Sequence, residues 1–270
     1  MQRPRLVASD VDGTLLDSTD RISERTRAVV HRVLAADVPF VLVTGRPPRW
    51  IPPIVELLGY AGLAVCANGA VLYDAATDCV RYTAPLDPLQ LRDAANVVAT
   101  ALPGAKLAVE LPPDSGTCNG FDEFLAEPGY THPWPDGEST FAPRDVLLGR
   151  PAIKLLVRQP DASSDVMAAA VGEIVGTQLD VTFSTRHGLI EISAPGVNKG
   201  NGLARLAGEL GIAPAEVVAL GDMPNDLSML QWAGHGVAVA NAHPTVLDSA
   251  DEITAPNSQD GLALVLERWF

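Results

Sequence analysis

Residues 5–15, RLVASDVDGTL, decide the predicted fold. The apolar run Arg5–Ser9 has the length of a short buried strand, and it stops at Asp10. Asp12 and Gly13 follow directly, where the chain is expected to turn. Because aspartate and glycine are common in turns, these residues alone are also compatible with an ordinary turn after a strand. The choice between the two interpretations depends on the rest of the chain.

Apolar runs alternate with segments of helical spacing at both ends of the chain. The first run precedes a helix predicted over Glu24–Ala36, and a second helix is predicted over Pro47–Leu58 in spite of its internal prolines. This alternation predicts parallel strands joined by helices. The further apolar runs that we interpret as buried strands are 39–43, 63–67, 216–220 and 236–240.

The middle of the chain follows a different pattern, in which prolines and glycines interrupt mixed helical and strand segments. We therefore predict an α/β fold with a doubly wound, Rossmann-like parallel sheet built from residues 1–84 and 189–270. Residues 85–188 are predicted to form an inserted α+β domain. The aromatic residues from Phe121 to Trp134 are expected to form an apolar cluster under a long loop, with a substrate-contacting loop as the alternative.

Five of the predicted strands end in a polar residue. In an open α/β sheet, ligands bind beyond the carboxyl ends of the strands. If these strands belong to one sheet, the polar side chains share one edge, which is the expected binding site. They are Asp10, Thr44, Asn68, Asp222 and Asn241.

The composition narrows the classes of partner. The 270 residues include 33 acidic and 19 basic side chains, for a formal net charge of −14. Such a surface repels nucleic acid and anionic membranes, so neither is expected as a partner. Because the sequence has neither a run long enough to span a membrane nor a signal-peptide pattern, we expect a cytoplasmic location. The three widely spaced cysteines are expected to be unpaired. The oligomeric state stays open.

Acidic side chains concentrate at the ends of two predicted strands. Several carboxylates at one edge of a sheet repel one another unless a cation lies between them. Oxygen ligands without histidine or cysteine favour a hard cation, which we expect to be Mg²⁺. As an alternative, Asp226 is not a metal ligand and only caps the helix that follows it. The candidate ligands are Asp10, Asp12, Asp222, Asn225 and Asp226.

Thr44 and Lys199 have the properties of a phosphate-binding pair. Thr44 offers a hydroxyl beside backbone N–H groups. Lys199 places an ammonium at the start of a predicted helix, which is unfavourable unless an anion is near. Together with a carboxylate nucleophile and a metal ion, they fit phosphoryl transfer through an aspartyl-phosphate. A plain strand end at Thr44 and a solvated Lys199 are the alternatives.

Four segments, in this order, resemble the motifs of the haloacid dehalogenase superfamily: DVDGTL (10–15), VTGR (43–46), Lys199 and GDMPND (221–226). The long insertion between the second and third motifs resembles the Cof-type branch, subclass IIB, as do CANGA and SAPGVNKG around it. The resemblance implies a Mg²⁺-dependent phosphatase that acts on a small phosphomonoester, such as a sugar phosphate or a phosphorylated cofactor. Met223 departs from the fourth motif, which often has a polar residue there.

The resemblance also implies the chemistry of the acidic residues. Asp10 is the nucleophile. Asp12 is the general acid and then the general base, with its main-chain carbonyl on Mg²⁺. Asp222 binds Mg²⁺ directly, whereas Asn225 and Asp226 either bind it or orient its waters and the lysine.

The same resemblance assigns the substrate contacts. Thr44 and the Gly45 N–H bind the phosphoryl oxygens, and Lys199 neutralises both the phosphate and the nucleophile. Arg46 and Asn68 lie at the substrate end of the pocket. The expected partner is therefore a small phosphorylated metabolite.

Two other functions fit the same residues. A phosphomutase or phosphotransferase passes the phosphoryl group to a second hydroxyl rather than to water. A non-catalytic phospholigand-binding protein is less favoured, because a binder gains nothing from a nucleophile that faces a dianion. The sequence does not name the substrate, because it does not place the side chains of the inserted domain.

Overall fold

The computed structural model of the protein describes residues 2–112, 123–133 and 140–270. They form two compact units, one from Met1–Cys79 with Asn198–Phe270 and the other from Val80–Val197. The strands, in chain order, are β1 (Leu6–Ser9), β2 (Phe40–Val43), β3 (Leu63–Cys66), β4 (Val71–Asp74), β5 (Cys79–Thr83), β6 (Lys106–Glu110), β7 (Phe124–Ala126), β8 (Thr140–Phe141), β9 (Lys154–Ser163), β10 (Asp180–Thr182), β11 (His187–Ser193), β12 (Val217–Gly221), β13 (His235–Val239) and β14 (Glu252–Thr254).

The helices follow the apolar spacing of the sequence. They are α1 (Glu24–Ala35), α2 (Pro52–Leu58), α3 (Pro88–Ala101), α4 (Arg144–Leu147), α5 (Ser164–Val175), α6 (Lys199–Glu209), α7 (Leu227–Trp232), α8 (Pro244–Leu247) and α9 (Gly261–Leu266). The single helix predicted over 47–58 is wrong. A short 3₁₀ turn, Pro48–Trp50, comes first, and α2 begins only at Pro52, because proline is tolerated at the first position of a helix but not inside it.

The first unit contains a sheet with its strands in the order β14-β13-β12-β1-β2-β3-β4. Neighbouring strands from β14 to β3 are parallel, as the alternating pattern predicts. Strands β1, β2 and β12 are buried along their whole length, as expected when both faces of a sheet are covered. The predicted sheet is extended at one edge, because β4 turns back antiparallel to β3. The sequence analysis did not identify β4 or β5.

The second unit contains a sheet in the order β10-β11-β9-β6-β7-β8. All of its pairs are antiparallel except β7 with β8. The boundaries of the unit differ from the predicted 84/85 and 188/189. Strand β11 pairs with β9 and β10, so residues up to Val197 belong to the second unit, and the first boundary falls at Cys79.

The aromatic segment of the second unit forms an apolar cluster. Phe124 and Tyr130 are buried with Leu156 and Leu189. The rings of Phe124 and His132 lie 4.6 Å apart, centroid to centroid. This packing favours the predicted cluster over a substrate-contacting loop. Phe121 and Trp134, the ends of the predicted segment, lie outside the described residues.

The cysteines and the helices bear on the expected cellular environment. Cys66 is free and buried, but Cys79 is disulfide-bonded, so the expectation of unpaired cysteines is wrong for Cys79. Cys118 lies outside the described residues. In the part of the chain that the structure describes, every helix is too short or too polar to cross a membrane.

Candidate active site

The carboxyl ends of β1 and β12 bring two aspartates to one edge of the first sheet. The strands are parallel neighbours with Ser9 opposite Leu220, and the Asp10 N–H donates to the Leu220 carbonyl at 2.9 Å. Asp10 and Asp222 are therefore the first residues beyond two adjacent strand ends. Both are buried, with 5% and 6% of their surface exposed. The register of the sheet is thus what places these two carboxylates together.

The turn after Asp10 needs its glycine. The Leu16 N–H donates to the Val11 carbonyl at 2.9 Å, and the chain between them passes through a left-handed conformation at Gly13, with φ of 82°. A side chain at Gly13 would also collide with the Asp222 carboxylate. Glycine is therefore required at this position by both its backbone angle and its neighbour.

Lys199 links two carboxylates from different strands. It is the first residue of α6 and is fully buried. Its Nζ donates to Asp10 Oδ1 and to Asp226 Oδ1, each at 2.5 Å. Burial acts to lower the pKa of Lys199, but the two carboxylates outweigh it and hold that pKa above its ordinary value. Lys199 is therefore a permanent cation in contact with Asp10.

Asp226 belongs to a loop that its own carboxylate closes. Its Oδ2 accepts hydrogen bonds from the backbone N–H groups of Asp222 and Met223, both at 2.9 Å. Gly221 allows this approach, because a Cβ there would lie 2.6 Å from the Asp226 Cβ. With Lys199 on its other oxygen, Asp226 fixes the loop and orients the ammonium. It is more than the helix cap that was the alternative interpretation.

The surroundings of Asp10 and Asp222 do not fully stabilise the negative charges of these two carboxylates. Burial raises the pKa of Asp10 well above its ordinary value. Lys199 opposes this shift, and the carboxylates of Asp226 and Asp222 add to it. Burial, followed by repulsion from Asp226, raises the pKa of Asp222 to about 7. The hydrogen bond that Asp222 Oδ1 accepts from Thr14 Oγ1, at 3.0 Å, does not offset these effects.

Asn225 and Asn68 are joined across the edge of the sheet. Asn225 Nδ2 donates to Asn68 Oδ1 at 3.1 Å, and both side chains are buried. Asn68 has a left-handed backbone, with φ of 55°, in the short turn after β3. The Asn225 Oδ1 atom is buried without a hydrogen-bond partner. A buried amide oxygen in this state needs a ligand from outside the chain.

The oxygen atoms at this edge fit a hard divalent cation. Ligand atoms of Asp10, Asp222 and Asp226 lie within 4.8 Å of one another, and they form the one such acidic group found among the described residues. The unpartnered oxygen of Asn225 adds a neutral donor. Oxygen-only donors with an excess of negative charge are typical of Mg²⁺ or Ca²⁺ sites rather than of zinc.

Thr44 and Arg46 form the turn after β2. Thr44 is fully buried, and its Oγ1 accepts the Arg46 N–H at 3.1 Å, so the hydroxyl hydrogen remains available to a ligand. Gly45 lies between them in the same turn. The Arg46 side chain binds the Asp12 carboxylate through two nitrogens. Asp12 is therefore turned towards Arg46, and it is not part of the acidic group around Asp10.

The structure brings Asp10, Asp222, Asp226 and Lys199 into one group, and it forms two separate pairs, Asn225 with Asn68 and Asp12 with Arg46. Other residues support the turn after Asp10. Asn241 Nδ2 donates to the Gly13 carbonyl at 2.9 Å, which makes Asn241 a support for the turn. Asn257 donates to the Leu16 carbonyl at 2.7 Å and continues this support. Thr14 and Asn257 were missed. Thr14 was within the quoted motif, but no sequence signal identified Asn257.

Comparison with known proteins decides the family. The family model of the haloacid dehalogenase-like hydrolases matches residues 7–266, nearly the whole chain. The chain belongs to this family. The resemblance given by the four sequence motifs is therefore confirmed, and the protein is a hydrolase.

This hydrolase has relatives that align over almost their entire length. YxeH of Bacillus subtilis is 30% identical over 267 residues, which cover 96% of each chain. The 5-amino-6-(5-phospho-D-ribitylamino)uracil phosphatase YcsE of the same organism is 27% identical, over 98% of this chain and 95% of its own. Each of these two relatives therefore aligns with both units of this hydrolase.

Solved structures of the same family share the fold. A haloacid dehalogenase-like hydrolase from B. subtilis superposes with a TM-score of 0.81 at 22% identity, covering 98% of this hydrolase and 100% of that chain. The HAD subclass IIB sugar phosphatase BT4131 gives a TM-score of 0.81 at 19% identity, with 98% of each chain covered. The predicted α/β fold class is confirmed.

Proposed function

We propose that this hydrolase is a Mg²⁺-dependent phosphatase that cleaves a small phosphomonoester through an aspartyl-phosphate on Asp10. The observation that carries the proposal is the contact of Lys199 Nζ with Asp10 Oδ1 at 2.5 Å, at an edge where carboxylates outnumber cations. A buried ammonium on a carboxylate leaves the second oxygen, Oδ2, as the atom for attack on phosphorus. The named phosphatase among its relatives supports the same reaction class.

The acidic group needs compensation before a phosphate can approach. Two unit charges about 4 Å apart repel by about 4 kcal/mol at an effective dielectric of about 20, and every ~1.4 kcal/mol is a factor of ten in rate. Asp10 facing a phosphate dianion therefore loses several powers of ten unless cations offset the repulsion. Lys199 supplies one cation, and Mg²⁺ supplies the second, together with polarisation of the phosphoryl oxygens.

We infer the Mg²⁺ ligands from the acidic group and from the one amide oxygen beside it that lacks a hydrogen-bond partner among the described residues. Asp10, Asp222 and Asn225 Oδ1 are the side-chain candidates, with the main-chain carbonyl of Asp12 as the fourth. Asp226 already accepts three hydrogen bonds, so we assign to it the orientation of Lys199 and of the loop. This choice selects the second of the two roles that the resemblance left open for Asp226.

The remaining residues divide the work on the substrate. Thr44 Oγ1 and the Gly45 N–H bind phosphoryl oxygens, while Lys199 neutralises charge on the phosphate and on Asp10. Asp12 protonates the leaving alkoxide and then accepts a proton from the water that hydrolyses the aspartyl-phosphate. Asn68 holds Asn225 in place. The leaving group is proposed to be a sugar or a cofactor alcohol.

The cytoplasmic location stays a proposal of its own. The acidic composition is compatible with it. Cys79 is the observation against it, because disulfide bonds are rare in the cytosol.

The test is hydrolysis of a small aryl phosphate with and without Mg²⁺. We expect Mg²⁺-dependent release of inorganic phosphate, and a loss of at least about a thousandfold in Asp10→Asn. Asp37→Asn is the matched control, because Asp37 is exposed and its φ of 57° suits asparagine. An active Asp10→Asn protein, checked for deamidation, contradicts the mechanism. With a sugar phosphate, ³¹P NMR separates a phosphatase, which releases phosphate, from a mutase, which forms an isomer.

A further inference from the structure

Arg46 holds the carboxylate of Asp12 in a two-point ion pair. Its Nε lies 2.9 Å from Asp12 Oδ2, and its Nη2 lies 2.5 Å from Asp12 Oδ1. The Asp12 side chain is 51% exposed and the Arg46 side chain 21%. Asp12 is therefore held at a half-open surface by a guanidinium, rather than packed into the interior. In this arrangement each Asp12 oxygen accepts a hydrogen bond from Arg46.

The backbone fixes the base of Arg46 beside the predicted phosphate site. The Arg46 N–H donates to Thr44 Oγ1 at 3.1 Å, and its carbonyl accepts from the Ala67 N–H at 2.9 Å. On the other side, Asp12 follows the nucleophile Asp10 by two residues. The Asp12–Arg46 pair thus joins the turn that contains Thr44 to the segment that follows the nucleophile.

A guanidinium fork binds phosphate and carboxylate with the same geometry. A dianion offers it more charge than the single charge of Asp12 does. We propose that Arg46 exchanges partners during turnover, binding Asp12 in the free enzyme and the phosphoryl group in the complex. The exchange couples phosphate binding to the release of Asp12, which then turns to the leaving-group oxygen. This inference rests on the proposed function, and it adds a substrate-controlled step to it.

The exchange makes a quantitative prediction for phosphate binding. If Asp12 and phosphate compete for Arg46, removing Asp12 strengthens phosphate binding by more than its loss of charge alone explains. We would measure the Kd of inorganic phosphate by calorimetry, with Mg²⁺ present, in the wild type, Asp12→Asn, Arg46→Gln and the double variant. Asp12→Asn is expected to tighten binding roughly fivefold more in the Arg46 protein than in the Arg46→Gln protein.

Two further outcomes belong to the same experiment. Arg46→Gln alone is expected to weaken phosphate binding about tenfold or more, because it removes a ligand and leaves Asp12 unpaired. Arg46→Lys keeps the charge but not the fork, so it should recover less than half of the loss. Arg49→Gln is the control, since it removes the same charge from the neighbouring turn. Melting curves establish that each variant is folded.

The contradicting results are distinct from failure of the proposed function. Equal tightening by Asp12→Asn in both backgrounds, or unchanged affinity in Arg46→Gln, overturns the exchange while wild-type turnover still supports the phosphatase. If the folded wild type hydrolyses no phosphomonoester, the proposed function fails. The four phosphate affinities then still decide whether Arg46 is shared.

Discussion

Two buried carboxylates, one in each unit, have pKa values shifted in opposite directions. Glu127 of the second unit accepts hydrogen bonds from Arg144 and, at 2.9 Å, from the Leu107 N–H. Burial acts to raise the pKa of Glu127, but these partners outweigh it and hold the pKa below its ordinary value. Asp222 of the first unit has Thr14 as its hydrogen-bond donor, and burial raises its pKa to about 7.

The difference separates a structural charge from a functional one. Glu127 is satisfied by its own chain, so its charge stabilises the fold and needs nothing from solution. Asp222 lies in a group whose negative charge the chain does not balance, and Asn225 Oδ1 beside it has no donor. Such a deficit costs stability in the free protein and is retained where a ligand supplies the missing cation.

The largest expected effect is on metal-dependent turnover. Asp222→Asn removes a proposed Mg²⁺ ligand, and we expect hydrolysis at fixed Mg²⁺ to fall by about a thousandfold. Glu127→Gln, the matched change in the second unit, should alter turnover less than threefold. Steady-state rates over a Mg²⁺ titration provide the measurement. If the two variants lose activity equally, the contrast between the two units is lost.

The second prediction concerns the pH dependence of stability without metal. The pKa of Asp222 is raised from 3.8 to about 7 on folding, so the folded state binds more protons in this range. The stabilisation is complete below the unfolded pKa and is lost as pH rises through the folded pKa. We expect the metal-free protein to lose about 2 to 4 kcal/mol of unfolding free energy between about pH 4 and pH 8.

For Glu127 we expect a pH dependence of stability with the opposite sign, over a lower pH range. Because its folded pKa is lowered from 4.5, its contribution is present above that value and is lost as pH falls through the folded pKa. Urea unfolding across the range, with chelator and then with Mg²⁺, measures both effects. Mg²⁺ should flatten the alkaline loss, as should Asp222→Asn in part. An alkaline loss of the same size in Asp222→Asn would show that Asp222 is not its source.

The smallest expected effects are single substitutions in the metal-free protein at neutral pH. Glu127→Gln weakens the pairing with Arg144, whose side chain is 45% exposed, so we expect a loss of about 1 to 2 kcal/mol. Asp222→Asn removes repulsion and should raise the melting temperature. Thermal unfolding in chelator gives both values. Destabilisation by both changes would contradict the claim that the negative charge around Asp222 is not balanced by the chain.

The sequence predicted most of the first unit because its strands are short, apolar and buried on both faces. Each such strand ended at a residue that the structure places at the shared edge. Strand β4 was missed because it turns back antiparallel to β3, and the periodicity of the sequence does not indicate such a turn. The prediction of a single helix over 47–58 was wrong because the prolines inside that range fix where α2 begins.

The site was predictable in its residue types but not in its pairings. The motifs identified Asp12 and Arg46 separately, whereas the two-point bond between them depends on side-chain geometry. The same holds for Asn68 with Asn225, and for Asn257, which acts on a turn far away in the sequence. Contacts of this kind depend on tertiary packing, to which a single sequence gives no direct access.

The central claim is that the charge deficit at the first sheet serves transfer of a phosphoryl group to Asp10. Its most direct test is to mix the Asp12→Ala protein with an aryl phosphate and Mg²⁺, quench in acid, and analyse the peptides by mass spectrometry. The account predicts one added phosphoryl group on the peptide containing Asp10, absent when Mg²⁺ is omitted. An unmodified Asp10 in this protein, with the wild type active on the same substrate, would contradict it.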